Sequence, residues 1–206
     1  AELTQRPSLR DFKPQSLANM VWAFAKANML GAGLFARVAA EVTQRPSLRD
    51  FKPQELANIV WAFATANMPD AGLFARVAAE VTQRPSLRDF DPQALANLVW
   101  AFAVADQCTP ALLQHVVMLS QGPQSPAWST SQSTQLHQAV VQAASSEHAA
   151  LSCLRADVVE EWRQACCANS EQTSQPSRLQ HHVYRALREL KMEFEEEYIV
   201  SELGYS

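Results

Sequence analysis

A set of polar and aromatic residues recurs three times in the chain, at a spacing suited to binding nucleic acid. Each set has a glutamine, an asparagine four residues later, a tryptophan three residues further on, and a fourth residue four positions beyond that. Amide side chains can hydrogen-bond the edges of bases, and indole rings can stack on their faces. The residues that we expect to bind single-stranded RNA are Gln15, Asn19, Trp22 and Lys26, then Gln54, Asn58, Trp61 and Thr65, then Gln93, Asn97 and Trp100.

The fourth position of the set differs between the copies, whereas the asparagine is the same in all three. It holds Lys26, Thr65 and Val104 in turn. An RNA reader that uses one repeat for each base must differ somewhere between its repeats. This fourth position is therefore the predicted specificity position.

The same residues also fit a purely structural role. Indole rings are largely buried in most folded proteins, so the tryptophans can instead pack between the first helices of neighbouring repeats. The asparagines can likewise hydrogen-bond across adjacent helices. Under this interpretation the set stabilises the fold and contacts no ligand.

The three sets lie in a segment that repeats with a period of 39 residues. Its copies cover residues 12–28, 51–67 and 90–106. A period of this length indicates an array of stacked units, each of which buries its apolar face against its neighbours. We therefore predict an all-α fold, an α-solenoid of two-helix repeats.

Apolar residues within each unit have the spacing of two antiparallel helices. In the second copy Leu56, Ile59, Val60 and Phe63 recur at i, i+3, i+4 and i+7, which predicts a core-facing side of a helix. The glutamine, asparagine and tryptophan of that copy fall on the opposite side. A second helix is predicted over residues 71–83 and ends before a proline, which a helix interior tolerates poorly.

Charged residues near the helix ends allow two further predictions. Asp91 can cap the first helix of the third copy, whereas Lys13 and Lys52 have no acceptor with which to cap theirs. In the second helix, Arg76 lies four residues before Glu80, which predicts an ion pair on a solvated face.

Composition and charge limit the classes of function. Hydrophobic residues make up 48% of the chain and charged residues 18%, which is enough to bury a substantial core. The net charge is −4, and residues 1–119 hold 11 Lys and Arg against 10 Asp and Glu. A protein that coats nucleic acid by charge alone would be more basic, and we expect no binding to DNA.

The remainder of the chain differs in composition from the repeats. A Ser/Gln/Pro-rich stretch predicts a linker, and helical spacing predicts a connector with helices over 135–144 and 147–168. The last segment reads as a helix followed by a strand over 192–200, a short truncated α/β piece. The predicted divisions are helical repeats at 1–119, a linker at 120–134, a helical connector at 135–170 and the α/β piece at 176–206.

The sequence contains no signal for catalysis, a metal site or a membrane span. The five histidines are scattered, and the four cysteines lack zinc-binding spacing, so we expect reduced thiols, no metal and no cofactor. No apolar run approaches the roughly 20 residues that span a membrane. We expect a binding protein and not an enzyme.

The first helix, with Phe51, Pro53, Gln54, Asn58 and the sequence Trp-Ala-Phe-Ala that begins at Trp61, resembles those of known helical-repeat families. It is similar to the octotricopeptide repeat proteins of algae, to FAST-kinase-like proteins and to proteins of the RNA-editing substrate-binding complex. Residues 177–187, followed by acidic residues 195–197 and by residues 204–206, resemble the start of a RAP domain.

This resemblance implies an organelle RNA-binding protein that acts in RNA processing, mRNA stability or translation. It places the protein in the mitochondrial matrix or the chloroplast stroma, with other organelle RNA-processing proteins as partners. RAP domains are thought to resemble restriction-endonuclease folds, so an RNA endonuclease is a further hypothesis if a complete RAP domain follows. The main rival to RNA binding is a protein–protein scaffold that uses the same concave face of first helices.

Overall fold

The structure, a computed structural model, describes residues 9–29, 31–84, 89–109, 112, 128–145, 157 and 159–165. This part of the chain is mostly helical and contains no strand, which confirms the predicted all-α class for these residues. The predicted α/β piece at 176–206 lies outside them. The helices are α1 (Pro14–Lys26), α2 (Ala32–Gln44), α3 (Pro53–Thr65), α4 (Ala71–Gln83), α5 (Pro92–Val104) and α6 (Thr130–Ser145).

The helices pack in two rows. Helix α3 packs against both α1 and α5, and α6 packs against α5, so that α1, α3, α5 and α6 form what we call the first row. Helices α2 and α4 pack against each other and form the second row. Each of them also contacts the first helix of its own copy, α1 or α3.

Both rows contribute to one hydrophobic core. The predicted core-facing residues of α3, from Leu56 to Phe63, are at most 1% exposed. The ring of Phe63 meets that of Phe35 in α2 edge to face, with centroids 4.9 Å apart. Phe74 in α4 and Phe102 in α5 repeat this contact at 5.0 Å. Edge-to-face pairs of this kind stabilise a core beyond the area that they bury.

The first helices begin at a proline, whose missing N–H would have had no helical partner at that position. The predicted cap of α5 is confirmed, because Asp91 Oδ1 accepts a hydrogen bond from the Ala94 N–H at 2.7 Å. In α3 the Lys52 N–H donates to Glu55 Oε2 at 2.8 Å. The third copy is therefore capped by its N-cap side chain and the second by an acidic residue in its first turn.

The first helices end in a left-handed residue that the sequence reading did not anticipate. Asn28, Asn67 and Asp106 have φ values of 50°, 52° and 53°. The next N–H then reaches back to the carbonyl of a phenylalanine, for example from Met68 to Phe63 at 2.9 Å. This arrangement is a Schellman motif, and Asn and Asp are the non-glycine residues that best tolerate its left-handed position.

Helix α6 begins at Thr130, five residues before the predicted start at Gln135, so residues 130–134 are helical and not linker. A reciprocal capping box sets this start. The Ser129 N–H donates to Gln132 Oε1 at 2.9 Å, and the Gln132 N–H donates to Ser129 Oγ at 3.4 Å. The Ser-x-x-Gln spacing was visible in the sequence, but the surrounding Ser and Gln residues obscured it.

Candidate nucleic-acid interface

The predicted RNA-binding positions are the solvent-facing side of the first row. The residues of α5 that are not buried are Pro92, Gln93, Asn97, Trp100 and Val104. The equivalent residues of α3 are also not buried, together with Glu55. The rest of each helix is enclosed by its neighbours, so these positions form the surface that a ligand of the first row would meet. We call them the amide–indole face.

None of the three tryptophans on this face is buried. Trp22 is 41% exposed, and Trp61 and Trp100 are partly buried against the core. The difference follows from position: within the described residues α1 packs against one helix of the first row, whereas α3 and α5 each pack against two. Each indole thus keeps part of its surface accessible to solvent, and those of Trp61 and Trp100 also pack against the core.

The tryptophans form a ladder across the first row. The rings of Trp61 and Trp100 lie 6.4 Å apart between centroids, with their planes inclined by 34°. Lys26 connects Trp22 to the same ladder, because its Nζ lies 5.8 Å from the centroid of Trp22 and 5.5 Å from that of Trp61. Both distances are within the range of cation–π attraction, so the ammonium group lies against two aromatic rings.

The amides of the third copy take part in a hydrogen-bond network with α6. Gln93 Nε2 donates to Asn97 Oδ1 and to Gln135 Oε1, both at 2.9 Å. Gln135 Nε2 donates to Asn97 Oδ1 at 3.2 Å, and Gln132 Nε2 donates to Gln93 Oε1 at 3.4 Å. The sequence reading missed Gln132 and Gln135 because it assigned the first to a linker and the second to a helix of unknown position.

The amides of the first two copies are not joined in this way. Gln15, Asn19, Gln54 and Asn58 make no side-chain hydrogen bond to any residue that the structure describes. The asparagines of α1 and α3 therefore do not bridge their helices, and only Asn97 bonds to a neighbouring helix.

The arginines that end the second helices are bound to the protein itself. Arg45 Nε pairs with Glu41 Oε1 at 3.0 Å, and its Nη2 donates to the Phe12 carbonyl at 2.8 Å. Its guanidinium also lies 5.3 Å from the ring centroid of Phe51. Arg84 repeats the carbonyl bond and pairs with Glu80 at 3.3 Å.

The predicted ion pair between Arg76 and Glu80 is wrong. Arg76 Nη2 donates instead to the carbonyls of Arg45 and Pro46, at 3.1 and 3.2 Å. Glu80 is 7% exposed and pairs with Arg84, one turn later on the same helix. Each of these arginines ties a second helix to the connector that precedes the first helix of the same copy, so its donors are engaged within the protein. Of the predicted positions on the amide–indole face, only Lys26 is charged.

Other features of the described residues do not indicate a second kind of site. No group of His, Cys, Asp or Glu among them is arranged to hold a metal ion, and none of their helices has the length and apolar character to cross a membrane. Cys108 is a free, buried thiol, and burial raises its pKa to about 12, with a smaller contribution from Asp106. Comparisons of the chain with protein-family models, with curated proteins and with solved structures find no match.

Proposed function

We propose that this protein binds single-stranded RNA on the amide–indole face of an α-solenoid built from its two-helix repeats. The observation that supports the proposal is the tryptophan ladder, in which Trp22 is exposed and Trp61 and Trp100 are partly exposed, beside amide groups. A line of aromatic side chains with hydrogen-bonding groups beside it suits unpaired bases, which can be splayed out and stacked.

Stacking would supply most of the affinity. One base stacked on an aromatic side chain contributes roughly 1–3 kcal/mol, independently of its identity. The amides of Gln15, Asn19, Gln54 and Asn58 have donors and acceptors that no described protein group uses. They would add selectivity, because base edges offer both kinds of partner.

The small number of charges on the face gives the proposed binding a distinctive character. RNA-binding proteins commonly gain affinity by releasing counterions from phosphates, and their binding then weakens steeply with salt. Here Lys26 is the one charged residue among the predicted positions, and Arg45, Arg76 and Arg84 are hydrogen-bonded within the protein. Binding on this face would therefore depend weakly on salt.

The cellular role that we propose follows from the resemblance described above. The protein would act in the mitochondrial matrix or the chloroplast stroma, in RNA processing, stability or translation, without an enzyme activity of its own. Other RNA-processing proteins would act with it, and a nuclease role would need a complete RAP domain.

A protein–protein scaffold is the second candidate, and the near-neutral face favours it. Partly exposed tryptophans are frequent energetic centres of protein interfaces, and such interfaces are depleted of charge at their core. A scaffold would use the same groove of first helices, but it would bind no RNA.

RNA binding by the full 206-residue chain separates the two candidates. Fluorescein-labelled homopolymeric RNAs of about 12 nucleotides, within the usual range of single-strand sites, would be titrated by anisotropy. We expect Trp61→Ala to weaken binding by about tenfold, the effect of losing one stacked base. Met29→Ala is the matched control, because Met29 is 54% exposed and lies outside the face. No binding by the unaltered protein to any homopolymer would favour the scaffold.

A further inference from the structure

The three copies do not present equivalent amides, although their sequences at these positions are identical. In the first two copies the glutamine and asparagine make no side-chain hydrogen bond to the described residues. In the third copy Gln93 and Asn97 bond to each other and to Gln132 and Gln135 of α6. The difference comes from α6, which packs against α5 at the end of the first row.

The network consumes the groups that a base would need. An amide reads a base edge most selectively when its oxygen accepts one hydrogen bond and its nitrogen donates another. Asn97 Oδ1 already accepts from both Gln93 and Gln135, so both of its lone pairs are used. Gln93 Nε2 donates both of its protons, to Asn97 and to Gln135. Neither side chain can make a two-bond contact to a base without breaking the network.

Helix α6 is held in place by more than these amides. Leu136, Ser133 and His137 are buried, at 1%, 4% and 3% exposure. The capping box of Ser129 and Gln132 fixes the start of the helix. Displacing α6 from α5 would therefore expose buried surface, which makes α6 a fixed end of the row and not a loosely attached segment.

We infer that α6 ends the RNA-reading site at the second copy. Asn19 and Asn58, with Gln15 and Gln54, read the edges of the bound bases, and Trp100 contributes a stacking surface without selectivity. The ligand is a stretch of single-stranded RNA whose base identity matters at the first two units and not at the third. This inference rests on the proposed function.

Two asparagine variants of the full chain test the inference with the labelled homopolymers of A, U and C. We expect Asn58→Ala to weaken binding to the preferred homopolymer by about tenfold and to reduce the preference among the three. Asn97→Ala changes the affinity by less than about twofold, since its oxygen serves the protein and not the RNA. Circular dichroism of each variant checks that the helices are intact.

A third variant breaks the hydrogen-bond network that engages Gln93 and Asn97 in the third copy. Gln135→Ala removes the hydrogen bond that Gln135 donates to Asn97 and the one that it accepts from Gln93. One lone pair of Asn97 Oδ1 and one proton of Gln93 Nε2 then become available to a base. We expect RNA to bind several-fold more tightly to this variant, and the gain to disappear when Asn97→Ala is added. Gln138→Ala is the matched control, because Gln138 is a half-buried glutamine of the same helix with no hydrogen bond among the described residues.

The outcomes distinguish this inference from the proposed function. If the unaltered protein binds RNA and Asn97→Ala weakens binding as much as Asn58→Ala, the third unit reads a base and the inference is overturned. An unchanged affinity in Gln135→Ala would also contradict it. If the unaltered protein binds none of the homopolymers, the proposed function itself fails.

Discussion

The two rows of helices come from the same repeated sequence, yet their outer surfaces use different chemistry. The first row presents neutral amides and indoles to solvent, and the amides of its first two copies have no hydrogen-bond partner within the described residues. The second row carries arginines that are bound to carboxylates and to backbone carbonyls. These arginines therefore fasten the second helices to the connectors, whereas the outer surface of the first row is largely uncharged.

This difference shows why the count of basic residues says little about ligand binding here. Residues 1–119 hold 11 Lys and Arg, a number that would allow several phosphate contacts. Arg45, Arg76 and Arg84 are already engaged within the protein. A guanidinium that donates to a carbonyl in a part-buried position has fewer donors left for phosphate.

The largest effect should come from the core that the two rows share. Phe63 of the first row and Phe35 of the second are 1% and 2% exposed and meet edge to face. We expect Phe63→Ala and Phe35→Ala each to lower the free energy of unfolding by about 3–5 kcal/mol, the cost of a large cavity. Urea unfolding monitored by circular dichroism would measure this loss.

The control for the core variants is Trp22→Ala, at an aromatic residue that is 41% exposed. We expect it to lower the free energy of unfolding by less than Phe63→Ala does, because a large part of the indole is already exposed to solvent. A loss as large as that of Phe63→Ala would show that the amide–indole face belongs to the core and would remove the contrast between the two rows.

An intermediate effect is expected from the arginines of the second row. Arg45→Ala removes an ion pair with Glu41 and a hydrogen bond to the Phe12 carbonyl. We expect the free energy of unfolding to fall by about 1.5–3 kcal/mol, as for hydrogen bonds to charged groups. Arg45→Lys should recover little of it, since an ammonium cannot reproduce the planar fork.

Arg49 provides the matched control for this second prediction, because it is an exposed arginine in the same connector. Arg49→Ala should leave the free energy of unfolding nearly unchanged. Thermal and urea unfolding of the three variants would test the series. Equal losses at Arg45 and Arg49 would mean that the contacts of Arg45 with Glu41 and with the Phe12 carbonyl do not stabilise the fold.

Sequence periodicity was sufficient to predict the helices and their faces. The spacing of Leu56, Ile59, Val60 and Phe63 identified the buried side of α3, because side chains three and four residues apart share one face of a helix. Asp91 was identified as a cap from its type and position. These features depend on residues close together in the chain, so local rules describe them.

Contacts between distant residues were beyond such rules. Arg76 bonds to carbonyls about thirty residues away, and Gln93 to Gln135 about forty away, as tertiary packing dictates. In the sequence, Glu80 is a nearer candidate partner for Arg76. No pattern in the sequence predicts how α6 is aligned along α5. The amides of the first two copies make no hydrogen bond to described residues, whereas those of the third copy do. This difference could not be predicted from the sequence, because the residue types at these positions are the same in all three copies.

The smallest effect concerns Lys26, the one charged residue among the predicted RNA-binding positions. Its ammonium lies against the rings of Trp22 and Trp61, where cation–π attraction contributes about 0.5–1 kcal/mol at an exposed site. The ring contacts hold its ammonium group on the amide–indole face, where we expect it to meet a phosphate of bound RNA. Lys26→Thr gives the first copy the residue that Thr65 supplies in the second, and is therefore the mildest change available.

We expect Lys26→Thr to alter the salt dependence of RNA binding more clearly than the affinity at any one salt concentration. One phosphate contact to a single strand contributes a slope of about −0.7 in log K against log salt. Anisotropy titrations over a fourfold range of NaCl concentration would measure the fold-loss of affinity for each protein. We expect this fold-loss to be about three times smaller for the variant than for the unaltered protein. If both proteins show the same slope, Lys26 meets no phosphate and only supports the tryptophan ladder. The first row would then bind RNA through uncharged groups alone, in contrast to the second row, whose arginines are hydrogen-bonded within the protein.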